Sequence, residues 1–410
     1  MEETKNQLKL AWFCCLIGAF AGTVIWWFLK IMAVGMEFLW ERLPEMLSVP
    51  YYTLIICTLG GALIGLFRKQ YGDYPEELET VLGKIKKEKH YGYKNMPVLL
   101  IAALLPLLFG SSVGPEAGLT GIIVALCYWA GDNLKFAQKN AKAYSEIGTA
   151  VTLSLLFYSP RFGFFAVEEN QDGRDGALDI SKSSKIFVYG LAIAAGSGAY
   201  MFWSSLLGAG MSGFPAFDEV TMGMKDYILM AIYVAAGCIL ALFYEKTHHA
   251  AHHGAAKLPP VIREITAGFC LGLAGMFVPA IMFSGEEQMA ELMIEYGRYL
   301  PWMLIGVAFL KILITNICIQ FGMRGGHFFP MIFAGVCMGY GIAAFVFPDC
   351  ASHVAFAAAM VTASLLGGIM KKPLAVTVLL FLCFPAKLLV WIFMAAAVGS
   401  FVLSIGSKKA

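Results

Sequence analysis

Gly110-Ser111-Ser112-Val113-Gly114-Pro115-Glu116-Ala117-Gly118 separates two apolar runs, at about 96–109 and 117–130. Neither run has the roughly 20 apolar residues that a helix needs to cross a bilayer. Short apolar segments broken by Gly and Pro predict helices that stop partway through a membrane. Irregular backbone survives at that depth only where it lines a polar cavity, so the break itself points to a solute path. The same stretch opens a helix with Glu116 in its first turn. A carboxylate inside a membrane segment costs roughly 2.5–3.5 kcal/mol on insertion scales, which makes it a functional candidate. At a helix N-terminus that attracts anions, an ionised Glu116 competes for the anion's place and a protonated one swings away. One group is then both gate and proton carrier; a plain helix-capping acid is the alternative.

Composition agrees with a lipid environment. Of 410 residues, 59% are hydrophobic and 14% charged, against roughly 25% charged in soluble proteins. Mean hydropathy is +0.70. The net charge of +2 is too small to imply a polyanionic partner, so nucleic-acid binding is a poor reading, as are secretion and disorder. The ten cysteines include no CxxC pair and nearly all lie in apolar runs, which reads as buried small hydrophobes and implies neither disulfides nor a metal site. Acidic residues precede the first run, which continues to about Leu39 without a small-residue cleavage site. That run is a retained membrane helix and not a signal peptide.

Further apolar runs fall at about 10–39, 51–67, 147–167, 186–209, 227–244, 265–283, 300–321, 328–348, 354–370 and 373–405. Between the second run and the third, at 96–109, lie seven basic residues, Arg68, Lys69, Lys84, Lys86, Lys87, Lys89 and Lys94, and Lys408 and Lys409 close the chain. The positive-inside rule then places both termini in the cytoplasm, with Lys5 and Lys9 agreeing. The polar stretch 170–185 reads as a solvated connector. Two more punctuated segments precede helices: Tyr71-Gly72-Asp73-Tyr74-Pro75-Glu76 and Gly322-Met323-Arg324-Gly325-Gly326-His327-Phe328-Phe329-Pro330. Each presents backbone N–H groups and the positive end of a helix dipole, an anion site that needs no buried cation.

With these segments in place, the chain resembles the CLC family of anion channels and proton-coupled anion antiporters over nearly its whole length. Gly114-Pro115-Glu116-Ala117-Gly118 is similar to that family's Gly-Arg-Glu-Gly-Pro filter segment. Phe157-Tyr158-Ser159-Pro160 through Glu168-Glu169 resembles its Phe-Asn-Ala-Pro helix ending in Glu-Glu. Lys311, Thr315 and Gly325-Gly326-His327-Phe328-Phe329-Pro330 resemble its Lys-x-x-x-Thr helix leading to Gly-x-Phe-x-Pro, with Leu258-Pro259, Arg263 and Lys372-Pro373-Leu374 in support. The resemblance implies an all-α integral membrane protein, one domain over 1–410 in two inverted-topology halves, about 1–205 and 206–410, with re-entrant half-helices. It implies a homodimer with one pore per subunit, no C-terminal regulatory domain, no cofactor and no enzymatic activity. Glu116 becomes the gating glutamate, and Gly326 and Phe328 lend backbone amides to a halide. The expected anion-binding set is Gly72, Asp73, Tyr74, Gly114, Gly326, His327, Phe328 and Phe384.

Departures bear on the substrate. Gly72 occupies the place of the family's central serine, and Phe384 is the nearest aromatic to its central tyrosine. With both hydroxyls missing, chloride is the first expectation and fluoride the alternative, exchanged for protons or conducted passively. Arg161 and Arg324 are candidates for added positive potential near the path, Asp73 being a candidate counter-charge; interfacial arginines are the plain alternative. The inner proton acceptor is Glu169, or Asn170 if no gap is allowed. Gly110-x-Ser112-x-Gly114 also fits a hydrolase elbow that could act with His327, but that motif needs a strand before it. His248-His249 and His252-His253 could bind metal if helical; a solvated connector is the expectation. The whole reads as a multi-pass protein of a bacterial inner membrane that moves a halide, with protons as the second partner.

Overall fold

The computed structural model describes residues 2–74, 92–93, 95–133, 141–157, 159, 162–164, 182–208, 215–217, 220, 222–347, 353–381 and 383–406. Arg161, Glu168, Glu169, Asn170 and most of the basic loop lie outside the described residues, so the expectations placed on them receive no structural account. Among the described residues the structure is helical. Seven helices are long and apolar enough to cross a membrane, and three apolar helices are shorter: Met96–Leu108, Glu116–Ala130 and Val354–Met370. The two runs that flank the opening motif are therefore short helices, as their lengths predict.

The chain forms two compact units, and neither is one continuous segment. The first comprises Met1–Met46, Asp73–Leu108 and Pro115–Gly213. Within it α1 (Glu2–Glu37) lies along a later helix, Lys182–Leu207, and three indoles fasten the pair. Trp26 stacks on Trp203 with ring centroids 5.9 Å apart, and Trp203 donates to the Thr23 hydroxyl at 3.2 Å. A π-helical turn at Phe38–Arg42 extends α1 and leads into α2 (Leu43–Leu47). That turn carries Trp40, whose indole N–H donates to the Leu108 carbonyl at 2.9 Å. Leu108 ends α4 (Met96–Leu108), where carbonyls lack an intrahelical donor, so the indole satisfies a helix end just before the motif. In the same unit α5 (Glu116–Asn133) packs on α4 and on α6 (Ala141–Leu156), and α7 is Lys182–Leu207.

The second unit comprises Leu47–Gly72, Phe109–Gly114 and Phe214–Ala410. It holds α3 (Tyr52–Tyr71), α8 (Met224–Ala256), α9 (Ile262–Phe277), α10 (Glu286–Glu295), α11 (Pro301–Gln320), α12 (Phe328–Val346), α13 (Val354–Met370), α14 (Pro373–Leu380) and α15 (Leu389–Gly406). Both α12 and α13 are apolar on every side and buried along nearly their full length, as helices without a polar face must be. They form the centre against which α8, α11 and α15 pack.

Several boundaries differ from the apolar pattern. The run 373–405 is two helices, because Pro385 and a 3-10 turn at Ala386–Leu388 divide it. The run 265–283 stops at Phe277 and continues as an irregular segment with a 3-10 turn at Pro279–Ile281. The histidine segment expected to be a solvated connector is instead the last turns of α8. Alanines favour helix there, and His252 Nδ1 lies 3.1 Å from Gln320 Oε1 on α11. Arg68, counted above among the seven basic residues between the second and third runs, is buried and ion-paired; its charge answers Glu264 and adds nothing to the loop's positive excess.

Candidate functional site

The opening motif follows α4, a helix and not a strand, so the hydrolase elbow lacks its context. Its serine is engaged elsewhere: Ser112 Oγ and Thr315 Oγ1 on α11 share a hydrogen bond of 3.0 Å, both fully buried. Two residues on, Gly114 meets Gly326. The Gly114 N–H donates to the Gly326 carbonyl at 2.8 Å and the Gly326 N–H donates back to the Gly114 carbonyl at 2.7 Å. This isolated antiparallel bridge ties together two of the three segments singled out in the sequence, residues 114 and 326 being 212 positions apart.

The bridge engages two glycines of the expected anion-binding set. Gly114 and Gly326 each give their N–H to the other, so in this conformation neither offers it to an anion. The amides that follow are those of His327, Phe328 and Phe329, at the start of α12. The first α12 hydrogen bond runs from the Met331 N–H to the His327 carbonyl at 3.1 Å.

Glu116 is the first residue of α5, two positions after Gly114, and is 1% exposed. A carboxylate shielded from water at a helix N-terminus is stabilised by the dipole and by nearby N–H groups. Gly72 closes α3 with φ +100°, a conformation open to glycine and strained for serine. The missing hydroxyl thus has a backbone counterpart, since the turn is built around a residue with no Cβ. Asp73 is exposed and Tyr74 half-buried. Phe384 is buried and stacks on Phe217 at 4.9 Å with the rings 7° from parallel; Phe217 in turn faces Tyr340 of α12 at 6.3 Å. Arg324 is half-buried on the segment that enters α12.

Sequence reading missed an ion-pair cluster beneath that segment. Glu264 Oε1 accepts from Arg68 Nη1 at 2.6 Å and from Arg263 Nη2 at 2.8 Å, while Glu264 Oε2 accepts the Val261 N–H at 2.8 Å. Gly322, at φ +103°, sits so close that a Cβ there would fall 1.9 Å from Arg68 Nη1. The cluster therefore fixes α3, the start of α9 and the turn after α11 in one place. A lone Glu three residues into a helix was its only sequence signal, and that signal does not name a partner 196 positions away.

A family model described as voltage gated chloride channel matches residues 59–404, a span that includes all three punctuated segments. The chain belongs to the voltage-gated chloride channel family. Among curated proteins of that likeness, one of Salmonella typhimurium and one of Salmonella enteritidis carry the provisional name ion-transport protein YfeO; each is 26% identical over 350 residues, covering 82% of this chain and 81% of its own. Among solved structures, a CLC-type fluoride/proton antiporter superposes with a TM-score of 0.73 at 19% identity, covering 96% of this chain and 95% of its own. A slow cyanobacterial chloride/proton antiporter superposes with a TM-score of 0.76 at 16% identity, covering 97% and 94%. These likenesses establish the chloride-channel-family fold, many apolar helices of unequal length, for a multi-pass membrane protein of anion transport.

Proposed function

We propose that the protein exchanges a halide, chloride first, for protons across a bacterial inner membrane. The observation that carries this reading is the Gly114–Gly326 bridge. It holds the start of α12 beside Gly114, which precedes Glu116 by two positions in the sequence, and this supports reading the two punctuated segments as parts of one anion path. An anion is held by N–H groups of His327 and Phe328 without a buried cation to trap it, which permits binding weak enough for release. Ionised Glu116 competes for the same positive potential. On protonation it loses that attraction and yields, so anion and proton occupy the path in alternation. Glu169 is the candidate inner proton acceptor, and Arg161 and Arg324 are candidates for raising the potential along the path. The termini are cytoplasmic on the positive-inside argument, the assembly is a homodimer, and no reaction chemistry is involved.

Gly72 favours a second reading, fluoride as the transported halide. A backbone with φ +100° at that position excludes a serine ligand without strain, and a fluoride/proton antiporter is among the structural relatives. Efflux of chloride and of fluoride from liposomes carrying the purified protein, with external pH recorded, distinguishes the two. Proton movement opposite to one halide names the substrate. Halide flux with no proton movement would establish passive conduction, and silence towards both halides would refute halide transport.

A further inference from the structure

Lys311 stands at the centre of α11 with no exposed surface. An ammonium in that position is tolerated only when its N–H groups are all answered. They are answered by three consecutive carbonyls, those of Ile281 at 3.1 Å, Met282 at 3.0 Å and Phe283 at 2.8 Å. Three successive carbonyls do not converge on one point in a helix or a strand. The segment wraps around the ammonium, and Phe283 takes the left-handed conformation at φ +57°, a genuine outlier for a bulky residue. Strain of this kind persists where the surroundings over-determine it, and it points towards a function.

The wrapped segment reaches the filter on two sides. The Phe283 N–H donates to the Gly110 carbonyl at 3.1 Å, at the first residue of the opening motif. Gly285, at φ +114°, lies where a Cβ would come within 2.8 Å of Phe333 Cβ on α12, and the Lys311 ammonium is 5.4 Å from the Phe333 ring centroid. One turn along α11 from Lys311, on the same face, Thr315 holds Ser112 directly. Two side chains of a single helix face thus hold residue 112 directly and residue 110 through Phe283, in the segment whose residue 114 pairs with Gly326.

We propose that Lys311, acting through Phe283, and Thr315 are positioning residues that set anion selectivity by fixing Gly110–Gly114 against the start of α12. The proposal rests on the transport reading given above. The ammonium itself touches no anion, since its three N–H groups are all given to carbonyls. Its role is geometric: it holds the spacing of the N–H donors, and a relaxed spacing changes which anion fits them. Selectivity is a difference between two affinities, so a loosened segment moves the ratio and not only the rate.

The test compares wild type, Lys311→Met, Thr315→Val and the double variant of the full chain in liposomes, reading efflux of chloride, nitrate and fluoride in parallel. The expected result is a change of about threefold or more in the ratio between two of the anions for each single variant. The double variant should show no more than the larger single effect, because both side chains act on one segment. A general loss of protein integrity lowers all fluxes together and leaves the ratios alone, so unchanged ratios would overturn the proposal. If Lys311→Met does not fold, Thr315→Val carries the same two outcomes, as it removes one hydrogen bond at nearly constant volume. A wild-type protein silent towards all three anions would overturn the transport reading on which the proposal depends.

Discussion

Replacing Gly325 with alanine strikes the bridge without touching any titratable group. A Cβ built at Gly325 falls 2.4 Å from Val113 Cγ2, 2.7 Å from Val113 Cβ and 3.0 Å from the Gly114 carbonyl oxygen. Ordinary carbon contacts lie near 3.5–4.0 Å, so something must move by about 1 Å. Val113 is fully buried and β-branched, with little rotamer freedom to turn aside, which leaves the backbone of one segment to give way. A shift of that size takes the 2.7 Å and 2.8 Å bridge bonds out of hydrogen-bond range. Overpacking costs about 1–3 kcal/mol and each buried donor left unmade about 1–3 kcal/mol, so a total of about 3–5 kcal/mol is a conservative sum. The assay is thermal unfolding of the purified variant in detergent, paired with halide efflux per folded protein in liposomes. The expected result is a lowered melting temperature and a loss of efflux larger than the loss of folded protein. Gly325→Ala with wild-type melting and wild-type efflux would refute the argument that the paired glycines hold the site together.

Three other perturbations probe the supports. Glu264→Gln leaves buried Arg68 without its carboxylate and should destabilise by about 3–5 kcal/mol in thermal unfolding, more than Arg68→Leu, which leaves Glu264 its second guanidinium, Arg263. Trp40→Phe removes the indole bond to Leu108 and should cost about 1 kcal/mol in the same measurement. Glu286, at the start of α10 and outside the membrane-spanning helices, is buried and pushed up to about 7, desolvation outweighing the help of its Ser284 hydrogen bond and of the Lys311 charge. Raising an acid's pKa in the folded state means that ionisation opposes folding, so stability contributed by the protonated form falls as pH rises from about 4.5 to about 7. Glu286→Gln should flatten that part of the melting-temperature profile, and a wild-type profile with no slope there would contradict the assignment.

Much of this architecture is legible from local pattern. The runs 96–109 and 117–130 are too short to span, and the helices found there, Met96–Leu108 and Glu116–Ala130, are short. Gly and Pro mark the ends of helices because their backbone limits are intrinsic to the residue. The segments before α5 and α12 are legible for the same reason. What escaped depends on partners distant in sequence. Nothing near Gly326 says that its N–H turns to Gly114. Arg68 counts as a topology signal until Glu264 folds against it. The apolar pattern ends at about 244 and predicts a connector at the histidines, yet polar residues continue a helix wherever a neighbour such as Gln320 meets them. The division of 373–405 into two helices was hidden because both halves are equally apolar and hydropathy carries no record of direction.

The central claim is that a buried carboxylate at the head of α5 alternates with a halide for the same place. Its most direct test is proton movement driven by an outward halide gradient in liposomes, compared between wild type and Glu116→Gln. Wild type should move protons uphill against the halide, and Glu116→Gln should abolish that movement while halide flux persists, since the amide keeps the volume and loses the charge. Uphill proton movement undiminished in Glu116→Gln would contradict the account.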